Sequence, residues 1–407
     1  MTHTDRHINR NRCNSLIVGL LLLVVWGCLS ACSSGDDETI NEGKLEKETT
    51  KLYIYVYTPQ TASSRAYDGD VNPITRESSI YSLQIWVFTH DSHQLIGYYS
   101  PAEAPGLSGE EPYELILLTI DEDYAQVPEV SRENVDVYVL ANVTATNCNL
   151  TFNETTTQAE LEEALLAKTT ADPFGLSSPV TTVPLNKGLP MSGVMRNQPV
   201  KGIAPVLRLD NEGEIATVQL IRMVSKLRFA FAKQTGSETL RINSIKLNSS
   251  MIPMAEYLFM ATDAPYDRHT CHIKTASGYD ATTPELLSMP LEDVASNDNP
   301  VYYAWGNNEL MPVEYEARIE TAASEGYVTQ RYYYLRESDK LLQGEIKYQI
   351  GDGEEQTATF QMVDAGGFSR NHVWTVYVYM AWAQLQVVSA DIAPWRPFNE
   401  EYDFYNW

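Results

Sequence analysis

Side chains able to do chemistry are sparse in this chain. Of its seven histidines, His90 and His93 flank Asp91 in HDSH, and His269, Cys271 and His272 follow Asp267 in the run DRHTCH. The first group offers a metal two imidazoles and a carboxylate. It falls where a hairpin must turn, however, and a structural site needs four ligands, of which no others are evident. In the second group a strand would put His269 and Cys271 on one face and His272 on the other. Carboxylate pairs such as Asp121 with Asp123, or Glu292 with Asp293, recur throughout so acidic a chain and single out no position. No G-x-S-x-G, P-loop or G-x-G-x-x-G run occurs, so hydrolase, nucleotide and dinucleotide readings have no footing. No catalytic residue, metal or cofactor is expected, and an enzyme is the weaker class.

Two places point to covalent processing instead. Arg6, Arg10 and Arg12 precede an apolar run from Leu16 to Leu29, well short of the roughly 20 residues of a membrane-spanning helix. Leu29-Ser30-Ala31-Cys32 follows, and it resembles a bacterial lipobox, which implies a cut before Cys32 and a lipid on it. An ordinary secretory signal cut at another small residue is the alternative. Ser33 to Glu38, SSGDDE, resembles the acid-rich tract behind the lipidated cysteine of lipoproteins sent to the outer face of some Gram-negative outer membranes. A plain acidic tether over 32–50 is the other reading.

The second place is Lys51 to Ala66, KLYIYVYTPQTASSRA. Leu52, Ile54 and Val56 alternate with Tyr53, Tyr55 and Tyr57, the period of a strand covered on both faces. It runs into Pro59 and the small, polar residues Gln60 to Ser64, which end at Arg65-Ala66. Such a run cannot bury enough surface to hold itself down, and exposed loops are where proteases cut. An ordinary first strand and an ordinary loop are the simpler reading of these residues.

Removing residues 1–31 takes three arginines and one aspartate, leaving 26 basic against 53 acidic side chains and a formal charge of −27. Such a surface repels nucleic acid and anionic headgroups, so neither is an expected partner, and only a lipid would hold the chain to a membrane. Of five cysteines, Cys13 and Cys28 leave with the signal and Cys32 is modified. Cys148 and Cys271 lie far apart and read as separate thiols.

The remaining length exceeds what one core usually organises, and 25 tyrosines, 7 tryptophans and 10 phenylalanines favour strands. The expectation is a mainly β protein in two domains with a few short helices. Ile80 to Thr89 alternates, with Tyr81, Leu83, Ile85 and Val87 toward the core; Gln94 to Ser100, Tyr113 to Ile120 and Val135 to Val143 follow as strands. Thr157 to Lys168 is the clearest helix, opened by a Thr157/Glu160 capping box, with Leu161, Ala164 and Leu165 on one face. A boundary is expected near Asp210, giving domains 51–210 and 211–407. In Ile215 to Phe231, one face carries Ile221, Met223, Leu227, Phe229 and Phe231; the other carries Arg222, Lys226 and Arg228 and reads as solvated. That run should bend or break once. Later strands are Leu240 to Leu247, Val301 to Trp305, Glu314 to Thr321, Gln330 to Arg336, Gly344 to Ile350 and Thr357 to Val363, the last two joined through Asp352-Gly353. Arg370 to Val388 is the strongest strand signal of the second half, and Pro394 and Pro397 forbid a central strand beyond it.

Three passages together resemble the fimbrillin family, the subunits of type V pili. LPMSG, with Pro190, Met191, Ser192 and Gly193, resembles a signature near the end of the family's N-terminal domain. VQLIRMVSKLRF, with Arg222 and Lys226, is similar to the leading strand of its C-terminal domain. FSRNHVWTVYVYM, with Arg370, Asn371 and His372, resembles its late aromatic strand, and VDVYVLANV fits its N-terminal sheet. The resemblance implies two tandem β-sandwich, transthyretin-like domains and a surface lipoprotein. It implies an arginine-specific protease that cuts after the first strand, at Arg65-Ala66 with Arg76 as a second choice, releasing 51–65 with Leu52, Ile54 and Val56. Another subunit's C-terminal strand then fills the groove. Here the donor would come from 384–407, where Leu385, Val387, Trp395, Phe398, Tyr402 and Phe404 offer knobs. Implied partners are other fimbrial subunits, the protease, the outer membrane through the lipid, and a glycan or host protein. An uncut anchor subunit is one alternative. A glycan-binding lipoprotein stacking sugars on Trp86, Trp305 or Trp407 is another.

Overall fold

Alternation of buried and half-buried side chains gives the first strand, β1 (Lys51–Tyr57), in which Leu52, Ile54 and Val56 are fully buried and Tyr53 and Tyr55 half-buried. The computed structural model describes residues 49–57, 77–101, 113–146, 148–167, 188–211, 214–260, 270–283, 285–287, 289–298, 319, 321–362, 367–389 and 393–394. The protein is mainly β. After β1 come β2 (Leu83–Thr89), β3 (Leu95–Tyr99), β4 (Tyr113–Thr119), the short helix α1 (Glu122–Ala125) and β5 (Val135–Ala141). Next are α2 (Gln158–Glu163), β6 (Leu165–Ala167), β7 (Met191–Gln198), β8 (Val200–Ile203), β9 (Val206–Asn211), β10 (Glu214–Ile215), β11 (Thr217–Gln219) and β12 (Ile221–Arg222).

These strands make two sheets. In one, β4 pairs with one side of β1, and β9 and β11 pair with the other, while β8 and β10 extend β9. The second runs β12-β7-β5-β2-β3. Their facing sides share a core of Leu52, Ile54, Val56, Ile85, Val87, Ile116, Leu118, Val137, Val139, Leu207 and Val218. The opposite side of β2 and β5, with Trp86, Phe88, Tyr138 and Leu140, packs on Leu161, Met223, Leu258 and Phe259. Both faces of this second sheet are therefore covered, which is why β5 is buried at every position.

The later strands are β13 (Val224–Lys233), β14 (Leu240–Leu247), β15 (Ala255–Tyr257), β16 (Ala295–Ser296), β17 (Thr329–Arg336), β18 (Gln343–Ile350), β19 (Gln356–Gln361), β20 (His372–Ala381), β21 (Gln384–Ser389) and β22 (Ala393–Pro394). β13 lies between β17 and β20, β21 and β22 pair with β20, and β16 pairs with the end of β13. β14-β18-β19 forms the facing sheet, and Leu227, Phe229, Phe231, Ile242, Ile346, Phe360, Trp374 and Val378 fill the space between. β15 pairs with β6, tying the two halves of the chain together.

Several expectations change. Strands β11 and β12 complete the first two sheets, so first-half pairing continues to Arg222, beyond the boundary expected near Asp210. The run 215–231 breaks at Ala216, Leu220 and Met223, because its early pieces serve the first half and only β13 serves the second. Helix α2 has the expected capping box, Thr157 N–H donating to Glu160 Oε2 at 2.8 Å, but stops at Glu163 because Leu165–Ala167 pairs with β15. Ile319 and residues 321–324 are helical where a strand was expected, and the 301–305 strand lies outside the described residues. The run 370–388 is a hairpin, turning at Trp382 and Ala383. Cys148 and Cys271 are separate thiols, as their distance in sequence suggests.

Candidate functional site

β1 occupies a slot inside its sheet. It pairs antiparallel with β4 along its whole length, from Lys51 opposite Thr119 to Tyr57 opposite Tyr113. On its other side Lys51–Tyr53 run parallel to Val206–Arg208, and Tyr55–Tyr57 run parallel to Thr217–Gln219. Its upstream end is held by Thr50, whose N–H donates to Glu122 Oε1 at 2.7 Å. Burying Leu52, Ile54 and Val56 is worth roughly 5–9 kcal/mol at about 1.5–3 kcal/mol each, before any ladder hydrogen bond. The outer face differs: the half-buried Tyr53 and Tyr55 stand in register with the exposed Leu117 and Leu115. The two tyrosines line a cleft of about 600 Å³ with Glu129, Lys201, Val206 and Arg208. The strand is thus fully covered on one face only, where both had been expected to be.

The three passages that carry the resemblance meet at one junction between the halves. Met191 lies in register with Arg222, and the Pro190 carbonyl accepts from Met223 N–H at 2.8 Å. Ser192 Oγ donates to the Leu258 carbonyl at 2.6 Å, and Arg370 Nη1 donates to the same oxygen at 3.0 Å. A Cβ on Gly193 would come within 2.5 Å of the Gln219 carbonyl, so only glycine lets β7 and β11 approach. Arg222 Nη1 donates to Asn371 Oδ1 at 3.0 Å, and Asn371 N–H donates to the Val224 carbonyl at 3.0 Å. Asn371 has φ of 58°, a left-handed turn that aims its amide at Arg222. His372 Nδ1 lies 3.0 Å from Ser369 Oγ, buried beside the turn.

Two buried charge clusters hold this junction. Lys226 Nζ lies 2.9 Å from Glu77 Oε1, and Tyr334 Oη donates to the same oxygen at 2.7 Å. Burial and the Glu77 carboxylate keep the Tyr334 phenol protonated, well above its ordinary range. In the second cluster Arg370 donates to Glu337 Oε1 from Nε at 3.0 Å and Nη2 at 2.6 Å, beside Glu256 and Arg336. Burial pushes the Glu256 carboxyl far up, and Glu337 adds to this against the pull of Arg370 and Arg336. Arg222, Lys226 and Arg228 are therefore buried, not solvated as their alternation had suggested. β17 and β20 flank Lys226 and Arg228 on β13, Arg228 Nε donates to Thr375 Oγ1 at 3.0 Å, and Ile319, Ala322 and Tyr377 cover Ala230 and Ala232 beside them. Glu77, Glu337 and Glu256 escaped sequence reasoning because nothing local marks them: their partners are strands away.

The remaining candidates separate. His90 Nδ1 bonds Asp136 at 2.7 Å, which raises its pKa, while His93 Nδ1 lies 3.0 Å from Gln158 Oε1, so the HDSH imidazoles serve different partners. Cys271 Sγ donates to the Ser338 carbonyl at 3.2 Å, and burial raises its pKa. Among the described residues no three His, Cys, Asp or Glu side chains are grouped to hold a metal ion. Trp86 is fully buried, its Nε1 donating to the Asn153 carbonyl at 2.9 Å, so it offers no stacking surface. Cys32, Arg65, Ala66, Arg76, His269, Trp305 and Trp407 lie outside the described residues. No helix among those described is long and apolar enough to cross a membrane.

No family model and no curated protein matches the chain. Solved structures do. The chain's structural neighbours are fimbrial and cell-adhesion proteins. A candidate cell-adhesion protein of Parabacteroides distasonis aligns at 16% identity and a TM-score of 0.48, covering 86% of this chain and 99% of that one. The tip fimbrial protein Mfa3 of Porphyromonas gingivalis aligns at 14% identity and 0.48, covering 85% and 99%. A fimbrial assembly protein of Parabacteroides distasonis aligns at 9% identity and 0.38, covering 85% and 98%.

Proposed function

We propose that this chain is a subunit of a cell-surface fimbria, exported as a lipoprotein on Cys32 and assembled by strand exchange. An arginine-specific protease cuts at Arg65-Ala66, β1 leaves, and a strand from another subunit takes its place, giving a fibre that supports adhesion. The carrying observation is the position of β1 inside its sheet, with Leu52, Ile54 and Val56 fully buried and a partner strand on each side. Removal opens an apolar slot with unpaired backbone on both walls, an aggregation hazard unless a strand fills it. Strand addition satisfies both walls, backbone bonds giving affinity and alternate side chains setting register. β21 and β22 already pair with β20, which supports a subunit that receives a strand over one that donates residues 384–394.

The test is digestion of the purified precursor with an arginine-specific protease while polymers are followed and the new N-terminus is sequenced. Ala66 as the new N-terminus, with laddering, is expected, and Arg65→Ala abolishes both. Equal polymer yield from the uncut mutant overturns the reading. The cleft beside Tyr53 and Tyr55 favours a second reading, a glycan-binding surface lipoprotein, since two tyrosines and several charged residues line it. Specific binding by uncut monomer on a glycan array would favour it.

A further inference from the structure

The first described residues after the 58–76 segment are fixed with unusual thoroughness. Glu77 and Ser78 are almost fully buried. The Glu77 carboxylate takes Lys226 Nζ and Tyr334 Oη, and its carbonyl takes Arg222 Nε at 3.0 Å. Ser78 Oγ accepts from Arg222 Nη2 at 2.8 Å. Beyond them Asn142 takes over: its Nδ2 donates to the Ser79 carbonyl at 2.8 Å and its Oδ1 accepts from Tyr81 N–H at 2.7 Å. Asn142 N–H donates to the Ser82 carbonyl at 3.0 Å. Side chains from β12, β13 and β17, together with the residue that follows β5, thus hold 77–82, so this short stretch is fastened to both halves of the chain. None of these partners belongs to β1.

We propose that Glu77 is a mooring that shields the peptide bond entering it from endoproteolysis and keeps 77–82 in place when β1 leaves. A protease must draw several residues on each side of its bond into an extended form. Doing so at Glu77 strips Lys226 and Arg222 of a buried carboxylate and a carbonyl, a local opening of high free energy. The small, polar residues before Arg65 have no comparable sequence basis for protection. The mooring thereby selects between the two arginines: Arg65 is cut and Arg76 is spared. This selection rests on the strand-release reading for its purpose, but the shielding does not.

The experiment compares cleavage rates at Arg76 in the native full-length chain and in the same chain unfolded in urea, read by mass spectrometry with a urea-tolerant arginine-specific protease. The ratio removes the protease's own dislike of an acidic residue after the bond. In the wild type, native cleavage at Arg76 is expected to be slower by at least about 100-fold. Glu77→Gln and the milder Tyr334→Phe should each recover at least about tenfold of that rate, with cleavage at Arg65 unchanged. If Glu77→Gln fails to fold, Tyr334→Phe carries the comparison. Native wild-type cleavage at Arg76 within tenfold of the unfolded rate overturns the proposal, as do folded variants that leave it unchanged. A chain cut at Arg65 that retains β1 and forms no polymer strikes the strand-release reading alone.

Discussion

Ile54→Ala tests whether the interior of β1 is what retains it. Ile54 is fully buried, stands in register with Ile116, and lies in the core shared with Ile85, Val87 and Leu118. Truncation leaves a cavity where neighbouring strands cannot collapse, at about 2–5 kcal/mol. In the intact chain this lowers overall stability, because the strand is covalently tethered. After cleavage at Arg65 the same loss falls on a non-covalent complex, and at about 1.4 kcal/mol per tenfold it speeds dissociation on the order of 30- to 4,000-fold. The assay is exchange of the bound fragment for a fluorescent peptide of residues 49–65, followed by anisotropy. Tyr55→Ala is the control, since that ring is half-buried on the outer face and its loss should speed exchange far less. Wild-type exchange by Ile54→Ala, or equally fast exchange by Tyr55→Ala, refutes the reasoning.

Other expectations concern the charge clusters. Glu337→Gln deprives the buried Arg370 guanidinium of its carboxylate and should cost about 3–5 kcal/mol by urea denaturation. Glu256→Gln should change stability by under about 1 kcal/mol near neutral pH, because burial already favours the protonated carboxyl that the amide imitates; the reverse ranking would contradict the cluster. The pKa of His90 is raised above its ordinary 6.5, chiefly by its hydrogen bond to Asp136. Its stabilisation is therefore full below about pH 6.5 and fades as pH rises through the folded value. Urea midpoints should fall more between pH 6 and 8 for wild type than for His90→Gln, and equal slopes would exclude the pair.

What the sequence revealed followed from local pattern. The alternation of Leu52, Ile54 and Val56, the Thr157/Glu160 box and the Asp352-Gly353 turn are each written within a few residues, and each is found in the structure. The basic stripe Arg222, Lys226 and Arg228 misled because alternation reports two faces but not what covers the second. Here distant strands and Glu77 cover it. Likewise the hairpin within 370–388 was hidden because both arms are strand-forming and the turn is made by Trp382 in a left-handed conformation, φ 55°, with no glycine to mark it. The convergence of Ser192, Arg222 and Arg370 on one junction depends on contacts spanning scores of residues, which periodicity cannot show.

The neighbours of β1 run in opposite senses, β4 against it and β9 and β11 with it. Parallel and antiparallel ladders space their hydrogen bonds differently, so these two walls accept an incoming chain threaded in one sense and mismatch its reverse. Every link formed through such a slot would point the same way. A chain of identical links, each giving a strand to the next, would then have distinguishable ends, one with an empty slot and one with an unused strand.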